Sequence, residues 1–174
     1  MSSARHVLRE VIETIIIALV LALLIRTFVV ERILVDGTSM ETTLHNSDSL
    51  LINKFIYRFR LPKTGEIVVF RFPRDPSRDF IKRVIAHEGQ SVELREGRVY
   101  VDGTQLNESY VKRPSRDNYP RAVVPQGTIF VLGDNRVNSE DSRFPDVGFV
   151  PLKNLKGMAF IRFWPISSFT WIGG

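Results

Sequence analysis

The N-terminal part of the chain contains its longest apolar stretch, and the length of that stretch is typical of a membrane-spanning helix. Residues 11–30 are predominantly aliphatic, and residues 15–25 carry no charged side chain. A helix of about 20 residues crosses the hydrocarbon core of a bilayer. Glu13 and Arg26 lie near the two ends of the stretch, where charged groups can reach the interface. The pattern predicts a transmembrane anchor over residues 11–30, preceded by a short N-terminus of residues 1–10.

Two other interpretations of this stretch are open: a cleavable signal peptide and a buried helix of a soluble protein. Arg5 and Arg9 precede the apolar run, as they would in a signal peptide. However, residues 26–32 offer no pair of small side chains for cleavage, so an uncleaved anchor fits the pattern better. The basic residues on the two sides of the span are nearly balanced, and charge alone therefore does not predict its orientation.

From residue 31 onward, the apolar positions change from a helical spacing to the alternation that is typical of β-strands. Short strands are predicted, and turns rich in proline and glycine separate them, as at residues 62–65 and 73–76. The segment of about residues 86–128 begins with a predicted hairpin and continues into polar, proline-containing sequence. This pattern indicates a smaller, loop-rich β excursion. We therefore predict a mainly β domain over residues 31–174.

The composition narrows the possible partners and sites. The chain has 174 residues, of which 44% are hydrophobic and 25% are charged, and this favours one folded domain with an appendage over disorder. The absence of cysteine excludes disulfides, thiolate metal sites and a cysteine nucleophile. The formal net charge of +5 suits anionic lipid headgroups. Nucleic acid is not expected as a partner, because the basic residues are scattered and form no known binding motif.

Ser39 and Lys82 are candidates for a nucleophile and its general base, although a turn serine and a solvated lysine of an ordinary strand are the simpler alternatives when each residue is taken alone. A serine hydroxyl needs a base that takes its proton, and none of the three histidines lies in a recognisable Ser-His-Asp pattern. A lysine can serve if burial lowers its pKa from about 10.4. Lys82 shares one face of a predicted strand with Phe80 and Val84, which gives it apolar neighbours. Gly37 permits a tight backbone before Ser39, and such a turn can aim amide N–H groups at an oxyanion.

Residues 133–143 contain too many charged and turn-forming residues for an ordinary core strand. Two aspartates and two arginines follow a glycine within this segment. The pattern predicts a loop that is held in place by charge-assisted hydrogen bonds, although a polar surface loop is the simpler alternative. No metal-ligand cluster and no phosphate-binding glycine loop is visible, so neither a metal nor a cofactor is expected.

Together, these segments resemble the type I signal peptidases, or bacterial leader peptidases, which are membrane-bound serine proteases with a Ser/Lys dyad. The resemblance extends from the apolar stretch to Trp164, and residues 133–143 are its most specific part. It implies a signal-peptidase-like β-fold in which Ser39 is the nucleophile, Lys82 is the general base, and Ser139 hydrogen-bonds to that lysine. It also implies an ion-paired brace around the site, formed by Asp141, Arg143, Asp134 and Arg83.

The chain departs from the family pattern at several positions. Gly37 stands where some members have a serine whose hydroxyl assists the oxyanion, so the oxyanion site would depend mainly on backbone amides. Thr42 replaces a proline, and Ala86 and Gln90 replace a common glycine and aspartate. These last three are backbone and turn positions, and the resemblance therefore still implies the same chemistry.

The resemblance implies that the protein removes N-terminal signal peptides from exported proteins after Ala-x-Ala-like sites. Ser39 lies only nine residues beyond Val30, and the active site is therefore expected close to the outer membrane surface. The predicted substrate contacts are Ile33, Leu34, Val35 and Met40. The expected partners are the signal peptides of preproteins, the lipid bilayer and, transiently, the secretion translocase.

The same resemblance predicts a single-pass protein of the plasma membrane with its catalytic domain on the extracytoplasmic side; a thylakoid or other organellar membrane is an equally open location. Two alternative functions remain. One is another Ser/Lys processing protease, such as a self-cleaving repressor-type protein or a conjugation-pilus processing enzyme. The other is an anchored β-domain that binds partner proteins without catalysis. The anchor argues against the repressor type, and the intact Ser39, Lys82 and Ser139 argue against a non-catalytic domain.

Overall fold

A long N-terminal helix, α1 (Ser2–Phe28), precedes the sheets. The computed structural model describes residues 2–173, with the backbone alone at residues 2–5 and 24–28. The helical part of the prediction is confirmed for residues 11–28, whereas Val30 already belongs to the first strand. The large aliphatic side chains of residues 15–23 are about half exposed or more. Its transmembrane part is not supported: within the described part of the chain, no helix combines the length and the apolar character that a membrane crossing requires. Residues 24–28 of the predicted span lie outside the described side chains.

Short strands follow the helix, as the alternating pattern predicts. Twelve of them occur among the described residues, namely β1 (Val30–Leu34), β2 (Ser49–Asn53), β3 (Ile67–Arg71), β4 (Asp79–His87), β5 (Ser91–Arg95), β6 (Arg98–Val101), β7 (Thr104–Gln105), β8 (Tyr119–Val123), β9 (Thr128–Leu132), β10 (Val150–Pro151), β11 (Leu155–Trp164) and β12 (Thr170–Trp171). The mainly β character of the prediction is thereby confirmed.

Eight strands form one antiparallel sheet in the order β1-β2-β11-β3-β4-β9-β10, with β12 paired to β11. Strand β1 lies at an edge and pairs only with β2 among the described residues. Strand β4 pairs with β3 along Asp79–Arg83, but its pairing with β9 begins only at Arg83. The first residues of β4 therefore expose a second strand edge within the described part of the chain.

A smaller antiparallel sheet has the strand order β7-β6-β5-β8 and lies within the predicted excursion of residues 86–128. Buried residues of β5 and β6, such as Val92 and Val99, pack with Ile85 of β4 and Phe130 of β9 in one hydrophobic cluster. Fully burying a side chain of this size contributes roughly 1.5–3 kcal/mol. The small sheet is thereby fixed against β4, which carries Lys82, and against β9, which directly precedes residues 133–143.

Candidate active site

Ser39 lies in a tight turn directly after the edge strand β1. Gly37 has a φ of 102°, a backbone conformation that residues with a Cβ rarely adopt. Its N–H donates a hydrogen bond to Asn46 Oδ1 at 2.9 Å. Val35 and Met40, on the two sides of the turn, are only 4% and 2% exposed. The turn is therefore fixed at both ends by buried apolar side chains, while Ser39 itself stays half-buried at the surface.

Lys82 reaches Ser39 from the neighbouring part of β4. Its Nζ lies 2.8 Å from Ser39 Oγ, to which it donates a hydrogen bond, and it also donates to the carbonyl oxygen of Ile81 at 3.0 Å. The ring of Phe80 lies 5.0 Å from Nζ. Lys82 is only 4% exposed, as expected for a side chain enclosed by apolar neighbours. The fold thus brings together the two residues that the sequence predicts as nucleophile and base.

Burial lowers the pKa of the Lys82 ammonium to about 8, against the opposing effect of the nearby carboxylates of Asp141, Glu140 and Asp134. The cause is the loss of hydration, which disfavours the charged form of a buried amine. Near pH 8, a substantial fraction of Lys82 is therefore a neutral amine with a free lone pair. In that form it can accept a proton from the Ser39 hydroxyl.

The polar segment 133–143 is docked directly on the serine turn. The Asn135 N–H donates to Ser39 O at 3.0 Å, and its side-chain amide donates to Thr38 O at 3.1 Å. Asn138 Nδ2 donates to Thr38 Oγ1 at 2.7 Å. The sequence interpretation did not assign Asn135 or Asn138 to the site. In the sequence, the only indication of these contacts was that two asparagines occur within a turn-rich segment.

Gly133 is required by close packing at the same place. A Cβ atom at this position would lie 2.2 Å from Ser139 Oγ and 2.5 Å from Ser39 O. Both distances are shorter than any van der Waals contact, so a larger residue would displace the serine turn or Ser139. The backbone of Gly133 is therefore the point where the polar segment meets the Ser39 turn.

The four residues of the predicted brace form two separate ion pairs. Arg83 donates to both carboxylate oxygens of Asp134, from Nε at 2.8 Å and from Nη2 at 2.6 Å, and Thr43 donates to the same carboxylate. Arg143 donates to both oxygens of Asp141 at 2.8 and 2.9 Å. Asp134 and Asp141 are fully buried. Bidentate pairs of this kind fix the orientation of both partners.

Ser139 does not form the predicted hydrogen bond with Lys82. Its Oγ is buried and has no hydrogen-bond partner among the described residues. The Lys82 amine is instead directed at Ser39 Oγ and at the carbonyl of Ile81. Ser139 lies against Gly133, and so it is close to the Ser39 backbone.

A cleft of about 710 Å³ opens beside Ser39 and Lys82. One wall is formed by the end of β1 and the serine turn, and it contains all the predicted substrate contacts: Ile33, Leu34, Val35 and Met40. Leu34 is 59% exposed, whereas Val35 and Met40 are nearly buried. Residues 78–82 also line the cleft, and the sequence analysis did not assign residues 78–81 to substrate. Asn138 and Glu140 complete the lining.

This arrangement is suited to acyl transfer. A hydroxyl lies within hydrogen-bond distance of an amine of lowered pKa, at the side of a cleft that is bordered by two strand edges. The Ser39 N–H donates to no acceptor in the part of the chain that the structure describes, so it is available to stabilise an oxyanion.

Comparison with known proteins agrees with this geometry. A model of the family "Signal peptidase, peptidase S26" matches residues 8–164. The chain is 43% identical over 173 residues to a protein named probable signal peptidase I-1 of Synechocystis sp., and the match covers 95% of this chain and 87% of that relative. It is 36% identical over 160 residues to thylakoidal processing peptidase 1 of Arabidopsis thaliana, covering 86% of this chain and 46% of the relative.

Among solved structures, a signal peptidase I from Enterococcus faecalis is similar to this chain with a TM-score of 0.51 and 30% sequence identity. The match covers 57% of this chain and 97% of that structure. The fold, the polar segment and the sequence matches agree, and the chain belongs to the signal peptidase family, peptidase S26.

Proposed function

We propose that this protein is a serine endopeptidase that removes N-terminal signal peptides from exported proteins, with Ser39 as the nucleophile and Lys82 as the general base. The observation that carries the proposal is the 2.8 Å contact between Lys82 Nζ and Ser39 Oγ, made by an amine that is almost fully buried. The named relatives, among them a probable signal peptidase I, support the choice of substrate class.

In this mechanism, neutral Lys82 takes the proton from Ser39 as its Oγ attacks the scissile carbonyl carbon. The Ser39 N–H stabilises the oxyanion of the tetrahedral intermediate. The Lys82 ammonium then returns its proton to the leaving amine as the peptide bond breaks, which leaves an ester on Ser39. Water hydrolyses that ester, with Lys82 again acting as the base, and the free hydroxyl is restored.

The ion pairs of the brace support this reaction by holding the surrounding backbone. The pair of Arg83 and Asp134 orients the part of β4 that carries Lys82. Asp141 accepts a hydrogen bond from the Gly133 N–H at 3.0 Å, so its pair with Arg143 fixes the start of the polar segment. Ser139 also supports the site in this proposal, because its buried hydroxyl lies against Gly133.

The substrate would enter the cleft as an extended strand. The free edge of β1 and the unpaired edge at the start of β4 both line the cleft and offer backbone groups to it. Side chains alternate in direction along such a strand, so the residues one and three positions before the cut face the same wall. Val35 and Met40 lie nearly buried in that lining, and we propose that the pockets beside them are shallow and accept only small side chains.

We therefore expect cleavage after Ala-x-Ala-like sequences. With purified full-length chain and a preprotein, phenylalanine or lysine at the first or third position before the cut should lower kcat/KM on the order of a hundredfold or more. Phenylalanine at the second position should be tolerated, because that side chain points away from the wall. Product masses identify the cleaved bond. Equal cleavage with phenylalanine at all three positions would show that the cleft does not select small residues.

We further propose that α1 anchors the protein in the plasma membrane or a thylakoid membrane, with the catalytic domain on the extracytoplasmic side. The proposal is supported by the exposed aliphatic side chains of α1, such as Ile17 at 59% and Leu21 at 53%. One relative is itself named as a thylakoidal protein.

The full-length chain should accordingly stay in membranes during alkaline carbonate extraction. Ile17→Lys combined with Leu21→Lys should release it, because lysine at the centre of a spanning helix costs about 2.5–3.5 kcal/mol per residue. The matched control is Val123→Lys with Val137→Lys, two residues of the β domain that are each 62% exposed. Release of both double variants, or of neither, would contradict anchoring by α1.

A further inference from the structure

The connection between β7 and β8, residues 106–118, contacts residues that surround the active site. We call it the bridging segment. It presents acidic and polar side chains to three arginines of the site region, and those side chains are Glu108, Tyr110, Ser115 and Asp117. Tyr110 stacks on the Arg83 guanidinium at 3.9 Å. The bridging segment therefore places acidic and polar side chains against arginines that lie near Ser39 and Lys82.

The contact between Glu108 and Arg136 is the most deeply buried of these. Arg136 Nη1 and Nη2 donate to the two carboxylate oxygens of Glu108 at 3.0 and 2.5 Å. The two side chains are 1% and 10% exposed. The remaining Nε of Arg136 donates to the carbonyl oxygen of Gly133 at 3.0 Å. Glu108 thus neutralises and orients an arginine whose other hydrogen bond holds the polar segment.

We propose that Glu108 is a positioning residue for Ser39 that acts through Arg136, a role that rests on the function proposed above. Glu108 holds Arg136, Arg136 holds the Gly133 carbonyl, and Gly133 lies against the Ser39 backbone. Two residues further on, the Asn135 N–H donates to Ser39 O. Without the carboxylate, the buried guanidinium would turn towards another acceptor, and the turn at residues 133–135 would loosen from the Ser39 carbonyl.

A purely structural pair and a positioning pair predict different results in a double-variant test. Replacing both members of a buried ion pair by apolar residues of similar volume often leaves stability unchanged, whereas removing one member leaves an unpaired buried charge. Glu108→Leu should therefore lower the denaturant midpoint of unfolding, and Glu108→Leu with Arg136→Met should restore most of it. The remainder reflects the Tyr110 hydroxyl, which also donates to Glu108 at 2.8 Å and loses that acceptor in both variants. The double variant still lacks the bond to Gly133, so its kcat should stay at least tenfold below the unmodified enzyme with little change in KM.

The matched control is the ion pair of Arg60 and Glu66, which lies outside the cleft and has a side-chain exposure of 29% and 3%. Glu66→Leu and its double variant with Arg60→Met should change the unfolding midpoint and leave kcat unaffected. If Glu108→Leu or the double variant fails to fold, Glu108→Gln decides the matter, because glutamine keeps the volume but removes the charge. Recovery of kcat together with stability in the double variant, or unchanged kcat in Glu108→Gln, would overturn the proposal.

Hydrogen exchange provides a readout that needs no substrate. Amides of the peptide covering residues 133–138 should exchange at least tenfold faster in the Glu108 variants than in the unmodified protein, and not in the Arg60 and Glu66 variants. Unchanged exchange would also overturn the proposal. An unmodified chain that cleaves no preprotein would refute the proposed function, while the exchange comparison would still test the positioning role of Glu108.

Discussion

Replacing Ser39 or Lys82 by alanine is expected to abolish preprotein cleavage while leaving the protein folded. Each variant removes one partner of the proton transfer that activates the Ser39 hydroxyl for attack, so kcat/KM should fall on the order of a thousandfold or more. Ser39 is half-buried and its side chain is small, so little packing is lost. Lys82 is an almost fully buried amine, and its removal also removes the cost of burying its charge.

Lys82→Arg should be as inactive as Lys82→Ala, because a guanidinium does not deprotonate in a protein. Lys153→Ala, at an exposed lysine outside the cleft, is the matched control and should cleave normally. Cleavage is followed by the mass of the released peptide, and folding by thermal unfolding of each purified variant. Near-normal cleavage by a folded Ser39→Ala or Lys82→Ala protein would remove that residue from the mechanism.

The strands of the main sheet were predictable because their apolar pattern is local. Strands β3 and β4 are rich in β-branched and aromatic residues and are bounded by turn signals, and most of their residues are buried. Strand β8 was missed, since Pro120 and the polar residues around it indicate a loop. It forms because β5 offers a pairing partner at Ser91 and Leu94, and proline is tolerated in an edge strand.

Pairing order was not predictable either. Strand β11, near the end of the chain, inserts between β2 and β3, which are consecutive along the chain. Such long-range pairing is selected by the packing of the whole sheet, and no local signal in β11 specifies its neighbours.

The candidate site was predicted as a set of reactive residues rather than as a set of contacts. Ser39 and Lys82 were identified mainly by the family resemblance of the segments around them, and the fold places their side chains 2.8 Å apart. Contacts between residues distant in sequence, such as Glu108 with Arg136, leave no periodic signal. The predicted partner of Ser139 was wrong for a related reason: the rotamer and backbone path that direct the Lys82 amine depend on tertiary packing.

Cleavage is also expected to depend steeply on pH, with kcat/KM rising tenfold per pH unit up to about pH 8 and levelling off above it. Neutral Lys82 is the active base, and burial sets its pKa at about 8. Below that value the neutral fraction falls tenfold per pH unit, so the rate at pH 6 should be about a hundredfold below the plateau. A profile of kcat/KM from pH 6 to 10, with an N-terminally blocked peptide as substrate, measures the pKa in the free enzyme. A flat profile would exclude Lys82 as a titrating base.

The position of this acidic limb should respond to one exposed carboxylate in a defined direction. Glu140 lines the cleft, and its negative charge raises the pKa of Lys82 by favouring the ammonium. Glu140→Gln should therefore move the limb towards lower pH, and rates below pH 8 should increase while the plateau stays the same. Because Glu140 is solvent-exposed, high salt should weaken its effect in the unmodified enzyme and move the limb in the same direction. Glu96→Gln, at an exposed turn of the small sheet, should leave the profile unchanged. A shift towards higher pH in Glu140→Gln would contradict a cationic Lys82 as the inactive form, because removing a negative charge can only favour the neutral amine.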